Sequence, residues 1–349
     1  MRDIIHRPSV RVQVNRRTVL ALASYGLGAA PILRSRASNA STAITMRYAG
    51  HSPPGHPVTL ADAAMCERIK SRTNGELLIT YFPNNALGSS PQQVEECRRG
   101  SIDFAQDTPG PLAAYNTALG VLNAPYIFEE YKQAWKFEDD TGRDWLTAQF
   151  AKAGVVYVQG FEWGLRAMSN SVRPINGPDD VKGLKMRAPP ELALQSIYEA
   201  LGAFPQVINF PEVYLALASK TVDGQCNTAS AIYAAKFFEV QKYIAYTKHQ
   251  YTAGMLFSNT RSWAKLSPEL RLVVSEEALA AATDARTKIA EGDEFYLGQL
   301  GKAGVAITRP DIAPFRDRMG PAYKKIRAQS GDAAFDEVTK LAQKALQAA

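Results

Sequence analysis

Cysteine and histidine are the scarce residues of this chain, three and four among 349. Cys66, Cys97 and Cys226 are far apart and show none of the paired spacings of zinc or thioredoxin-type sites. Their odd number permits one disulfide at most, with a thiol left over. His51 and His56 share a loop and His249 lies far downstream, and no two of them make HExxH or another metal-binding spacing. A G-x-S-x-G elbow and a P-loop are both absent, and the glycine-rich stretch GLGAAP falls near the N-terminus. Neither a metal nor a cofactor is expected. The one thiol candidate is Cys226, which follows a strand end where a nucleophile could stand. It would need His249 or His51 beside it; otherwise it is a small, semi-buried side chain near a pocket.

Long apolar runs are also lacking. Beyond the N-terminus none reaches the ~20 residues that span a bilayer. The N-terminus itself reads as an export signal over residues 1–40. Arg16 and Arg17 precede a stretch of small apolar residues broken by Gly26, Gly28 and Pro31, and Ser38–Ala40 suits signal peptidase. The arginine pair points to the twin-arginine type, or failing that to general secretion. The mature chain is expected to start near Ser41, in the periplasm. The same segment accounts for the net charge of +6: it holds seven of the 40 basic residues and one of the 34 acidic ones. A balanced remainder has no broad field for nucleic acid or anionic lipid, so neither is an expected partner and any anion site must be local.

What is present is a repeating strand–helix pattern. ITMRYAG, ELLITYF and SIDFAQ read as strands, with helices over about Val58–Ser71 and Pro91–Gly100 between them. A β-α-β-α-β run predicts a parallel sheet of order 2-1-3, with right-handed crossovers placing the two helices on opposite faces. Cys66 and Cys97, one on each, should then be too far apart to bond. A helix over about Glu130–Gly154 leads to the strand VVYVQGFEW. A second set starts at Gly183: strand LKMR, helix ELALQSIYEALG, strand QVINF, a helix opened by Pro211, and strand TVDGQ. Two extended pieces joined near Gln250 precede a very long helical stretch from Ser267-Pro268, and VAIT with two helices closes the chain. Two α/β units joined by crossing strands predict two lobes around a cleft, with the long helix spanning both. Ligands in such sheets sit at the carboxyl ends of strands. Arg187 stands at such an end in GLKMRAPPE, before two prolines that cannot extend a ladder. It is either a solvated rim charge or a cation pointing into the cleft. The stretch Gln225–Thr228 occupies an equivalent position.

The blocks GLKMRAPPE, FPEVYLAL, VDGQCN and KFFEVQKY, with ALGSSPQQVEECRRGSIDFA and LRAMSNSVRPI upstream, resemble the periplasmic solute-binding proteins of TRAP transporters, the dicarboxylate-type (DctP-like) family. The likeness covers most of Thr45 to Val305. It implies a non-enzymatic, α/β two-lobed binding protein that captures a small organic acid and delivers it to the small and large membrane permease subunits. The alternatives are an ABC-type or sensor-coupled binding protein, or a secreted thiol enzyme. The resemblance implies that Arg187 holds the ligand carboxylate with Arg166 and Asn227, and that Phe210 lies against the ligand body. Trp163 and His51 either line the cleft or pack the hinge and first loop. Expected boundaries are 41–163 plus 253–292 for lobe I and 164–252 plus 293–349 for lobe II. This chain departs from the family at Cys226, where an acid is usual, and at Ser89-Ser90-Pro91. With Trp and Phe retained, those departures favour a monocarboxylate, such as a 2-oxo or 2-hydroxy acid with an apolar or aromatic body, over a polyhydroxy acid.

Overall fold

The computed structural model describes residues 43–349, so the expected export signal over residues 1–40 lies outside the described residues. Strands β1 (Ile44–Gly50), β2 (Leu77–Phe82) and β3 (Phe104–Asp107) pair in parallel in the order β2-β1-β3. The helix Pro57–Arg72 begins with proline at its first position, where no N–H is missed, behind His56, whose ring accepts from the Val58 N–H. The helix Ser90–Arg99 begins with a Ser89–Gln92 capping box. Right-handed crossovers put these helices on opposite faces. Cys66 packs in one core cluster with the long helix, and Cys97 in another with the C-terminal helix. All three cysteines are buried and free.

The first sheet is completed by β10 (Tyr251–Asn259) and β4 (Val155–Leu165), giving β2-β1-β3-β10-β4. The second sheet runs β11-β9-β5-β8-β6-β7, from β5 (Ala167–Asn170), β6 (Lys185–Ala188), β7 (Phe204–Val207), β8 (Gly224–Asn227), β9 (Tyr243–Ala245) and β11 (Ala306–Thr308). The fold is two-lobed α/β, one sheet to each lobe, with a cleft between the sheets. Local boundaries differ from the sequence pattern. The strand expected at QVINF is Phe204–Val207, and Phe210 opens a short 3-10 turn before the helix Val213–Ala218. Phe210 leaves the sheet because its ring packs edge-on against Trp163 in the cleft. The expected helix over Glu130–Gly154 is interrupted by a wide π turn at Phe137–Thr141, and three helical segments, not two, close the chain.

The chain crosses between sheets at Arg166, the only residue separating β4 from β5, and again over residues 246–250. The crossings are tied together by the Arg166 N–H donating to the Gln250 carbonyl at 3.0 Å. The helix Pro268–Lys302 runs 35 residues, about 50 Å at 1.5 Å per residue. Its first two-thirds pack under the first sheet through Val274, Ala278, Ala282 and Ile289; Leu297 and Leu300 enter the second lobe's core. Asp293, between these stretches, accepts from the Tyr131 hydroxyl at 2.6 Å and from that of Tyr246, while Tyr131 takes the Leu165 N–H. The helix therefore grips the chain at both crossings. Farther back, buried Arg286 pairs with Glu138 at 2.6 Å and Asp139 at 2.5 Å. The last helix, Asp332–Ala348, packs Phe335, Val338 and Ala342 into the core that holds Cys97. No helix among the described residues is long and apolar enough to cross a membrane.

One buried acid ties this core to pH. Asp62 is fully enclosed beside Tyr48 and Tyr81, and burial pushes its pKa up to about 8 although the tyrosines favour the charged form. The native state therefore holds a proton that the unfolded chain releases near pH 4. Stability should fall as pH rises from about 4 to 8, then level off. Asp62→Asn removes that proton without changing shape. Its melting temperature should exceed that of the parent at pH 8, by several degrees, and lose the advantage near pH 4. Parallel melting curves for the two chains across pH would disprove the assignment.

Candidate functional site

Strand ends build the site. Arg187 is the penultimate residue of β6 and Asn227 closes β8 in the second lobe, Arg166 is the crossing residue itself, and His51 and Asp107 follow β1 and end β3 in the first lobe. The double proline after Ala188 turns the chain away at once, leaving space in front of the guanidinium. Arg187, Arg166, Asn227, Phe210, Trp163 and His51, the six residues singled out from sequence, all line one cavity.

Arg187 is only 3% exposed. Its Nε donates to the Ile208 carbonyl at 2.8 Å, and among the described residues neither terminal nitrogen meets an acceptor and no acid pairs with it. Burial, reinforced by repulsion from Arg166, pushes its pKa down to about 10. The rim-charge reading is thereby excluded. Arg166, 4% exposed, is held by Thr252 Oγ1 and the Cys226 carbonyl, both at 2.9 Å. Two guanidinium groups buried side by side form a strong local anion site in an otherwise balanced chain.

Asn227 supplies a third donor. Its Oδ1 accepts from Trp163 Nε1 at 2.8 Å, the Thr228 N–H at 3.1 Å and Arg166 Nη1 at 3.4 Å. Three donors on one oxygen fix the amide orientation and leave the Nδ2 hydrogens turned toward the cavity. Trp163 is itself clamped: the His51 and His56 rings lie 4.5 and 4.7 Å from it on centroids, and Phe210 meets it edge-on. His56 accepts at Nδ1, so its Nε2–H donates across the cleft to Ser230 Oγ at 3.2 Å. Burial, with repulsion from His51, pushes the His56 pKa down to about 3, so the ring is neutral. Trp163→Phe keeps the stack but removes the shortest of the three bonds that orient Asn227. Affinity for the ligand should drop about tenfold, the value of one buried hydrogen bond, as read by titration calorimetry; no change would mean that Asn227 is oriented by other groups.

Sequence reasoning passed over two acids that line the same cavity, Glu191 and Asp107. Glu191 closes the GLKMRAPPE stretch and accepts from Asn123 at 2.7 Å and Gln250 at 3.3 Å. Burial raises its pKa, partly offset by Arg166. Asp107 ends β3, so the strand-end rule that selected Arg187 would have found it. Cys226 lies behind the arginines, 3.8 Å from Arg166 Nη1. Burial pushes its pKa up, and the thiol stays protonated. His249 bonds Thr247 at 2.7 Å. Cys226 therefore fits the small buried side chain of the two readings.

Residues 48–330 match the family model described as DctP, bacterial extracellular solute-binding protein, family 7. The chain belongs to that family. It is 31% identical over 253 residues to the 2,3-diketo-L-gulonate-binding periplasmic protein of Escherichia coli, covering 72% of this chain and 77% of that one. Among solved structures, a TRAP periplasmic solute-binding protein from a Polaromonas species, bound to D-erythronate, superposes with a TM-score of 0.80 at 28% identity, over 84% of this chain and 98% of the other. One from a Sulfitobacter species, bound to β-D-galacturonate, gives 0.82 at 26% identity, over 86% and 100%. The fold is shared with the two solved structures, and the chain is an extracellular solute-binding protein by family.

Proposed function

We propose that this chain is the periplasmic binding subunit of a TRAP transporter and captures a small carboxylate, which it passes to membrane permease subunits. One observation carries the reading: Arg187 is buried at the cleft with both terminal nitrogens free of protein acceptors, beside Arg166 and the oriented amide of Asn227. A carboxylate supplies two oxygens that match such a fork. The solved relatives, whose ligands are sugar acids, support the class.

The chain acts by binding alone in this reading. A protonated Cys226 thiol behind the arginines offers no nucleophile. Arg166 on the crossing couples ligand to hinge: an anion neutralises the paired guanidinium groups, and closure then costs less. A thermal-shift screen of short carboxylates tests the proposal. A true ligand at 100 times its dissociation constant should add about 2.7 kcal/mol of stability. A screen in which only amines, neutral sugars or metal ions shift the melt would overturn it.

A further inference from the structure

We propose that His51 and Asp107 form a hydroxyl-reading end of the site, opposite the arginines, so that the ligand must carry hydrogen-bond donors beyond its carboxylate. The inference rests on the carboxylate reading above and sets the specificity of the same cavity.

The geometry of each residue leads there. His51 Nδ1 lies 3.1 Å from the Gln106 carbonyl, an oxygen that can only accept. Nδ1 therefore carries the proton of the neutral ring, and Nε2, on the opposite edge, is left as an acceptor. That nitrogen is buried and has no partner among the described residues. Asp107 repeats the pattern. Its Oδ1 accepts from the Thr108 N–H at 2.7 Å, while Oδ2 is buried and meets no donor with hydrogen-bond geometry. Burial raises the Asp107 pKa, and the nearby Ser90 hydroxyl offsets part of that rise. Both residues line the cavity from the first lobe.

Buried acceptors without donors are costly, and a bound molecule that brings O–H groups removes the cost. The second lobe presents N–H donors from Arg187, Arg166 and Asn227; the first presents acceptors from His51 and Asp107. The matching ligand is an acid at one end and an alcohol at the other: a hydroxylated monocarboxylate of short chain. An all-apolar acid would leave Nε2 and Oδ2 unpaired. This departs from the apolar-bodied acid expected from the sequence, which counted the acid missing at Cys226 and not the one supplied by Asp107.

Matched acids test the pair on the full mature chain by titration calorimetry. Butyrate, 3-hydroxybutyrate, 4-hydroxybutyrate and erythronate share a carboxylate and differ in hydroxyls. At least one hydroxylated acid should bind the parent chain about 10- to 100-fold more tightly than butyrate. His51→Phe keeps an aromatic ring against Trp163 and removes the acceptor. In Asp107→Asn the Thr108 N–H retains the amide oxygen, so Nδ2 replaces the free acceptor with a donor. Each variant should lose about tenfold in preference for the hydroxylated acid over butyrate, with a cooperative melt retained. Equal affinity of the parent for butyrate and every hydroxylated acid overturns the hydroxyl reading and leaves the carboxylate site standing. Retention of full preference by both variants also overturns it. Binding of none of these acids, or of any carboxylate in the wider screen, would instead remove the reading on which it rests.

Discussion

Replacing Arg187 by alanine should weaken carboxylate binding by roughly 30- to several-thousand-fold, the equivalent of about 2–5 kcal/mol for truncating one partner of a buried charge pair. The magnitude follows from burial. At a surface, water and salt would screen the same pair to well under 1 kcal/mol. Here the guanidinium is almost fully enclosed, its Nε is already held by Ile208, and its terminal nitrogens have only the ligand to serve. Arg187→Lys should fall between parent and alanine, because a point charge keeps the attraction but not the two-pronged match. The unliganded Arg187→Ala chain should melt close to the parent, since relief of the repulsion from Arg166 offsets loss of the bond to the Ile208 carbonyl. Calorimetry and melting curves on the same three chains read both halves. Unchanged affinity in Arg187→Ala would remove the central contact of the proposed function.

The largest expected stability change lies away from the ligand. Arg286→Met should lower stability by about 3–5 kcal/mol, because Glu138 would be left buried without its counter-charge. For a chain of this size that is a drop in melting temperature of roughly 5–8 °C. Asp139 is about a third exposed and can turn to water; Glu138 cannot. Burial already raises the Glu138 pKa to about 7 despite Arg286. Without Arg286 the carboxyl should take up a proton on folding, and the variant should be least stable at high pH. Adding Glu138→Gln to Arg286→Met should restore part of the loss, which a simple packing defect would not allow. A loss below 1 kcal/mol, or no recovery in the double variant, would show that the cluster is solvated in the native state.

The elements most readable in the sequence were those whose signals are local. Ser90 with Pro91, and Ser267 with Pro268, mark helix starts through their own backbone chemistry, and the helices begin there. Elements that misread did so where a distant partner overrides local preference. Phe210 sits in a hydrophobic stretch that reads as strand, yet it leaves the sheet to meet Trp163. The π turn at Phe137–Thr141 carries Glu138 and Asp139, both bound to Arg286, 148 and 147 residues away. No window along the chain contains that partner.

The site divides in the same way. Arg187 and Asn227 are visible as strand-end residues because alternation of strands and helices defines where strands stop. Asp107 obeys the same rule, but an acid in a presumed anion site attracts no attention until its environment is seen. His56 has no sequence signal as part of the Trp163 stack, since its role depends on Ser230 across the cleft.

By itself, the order of residues determined the parallel α/β units, the crossing strands, the long helix and the position of a lone arginine at a strand end, because these depend on periodicity and backbone stereochemistry within short windows. Only the tertiary structure decided that Arg187 and Arg166 are buried together, which way the Asn227 amide points, and that His51 and Asp107 stand unpaired within the same cavity. Burial and hydrogen-bond pairing are properties of what surrounds a side chain, and the surroundings here come from strands far apart along the chain.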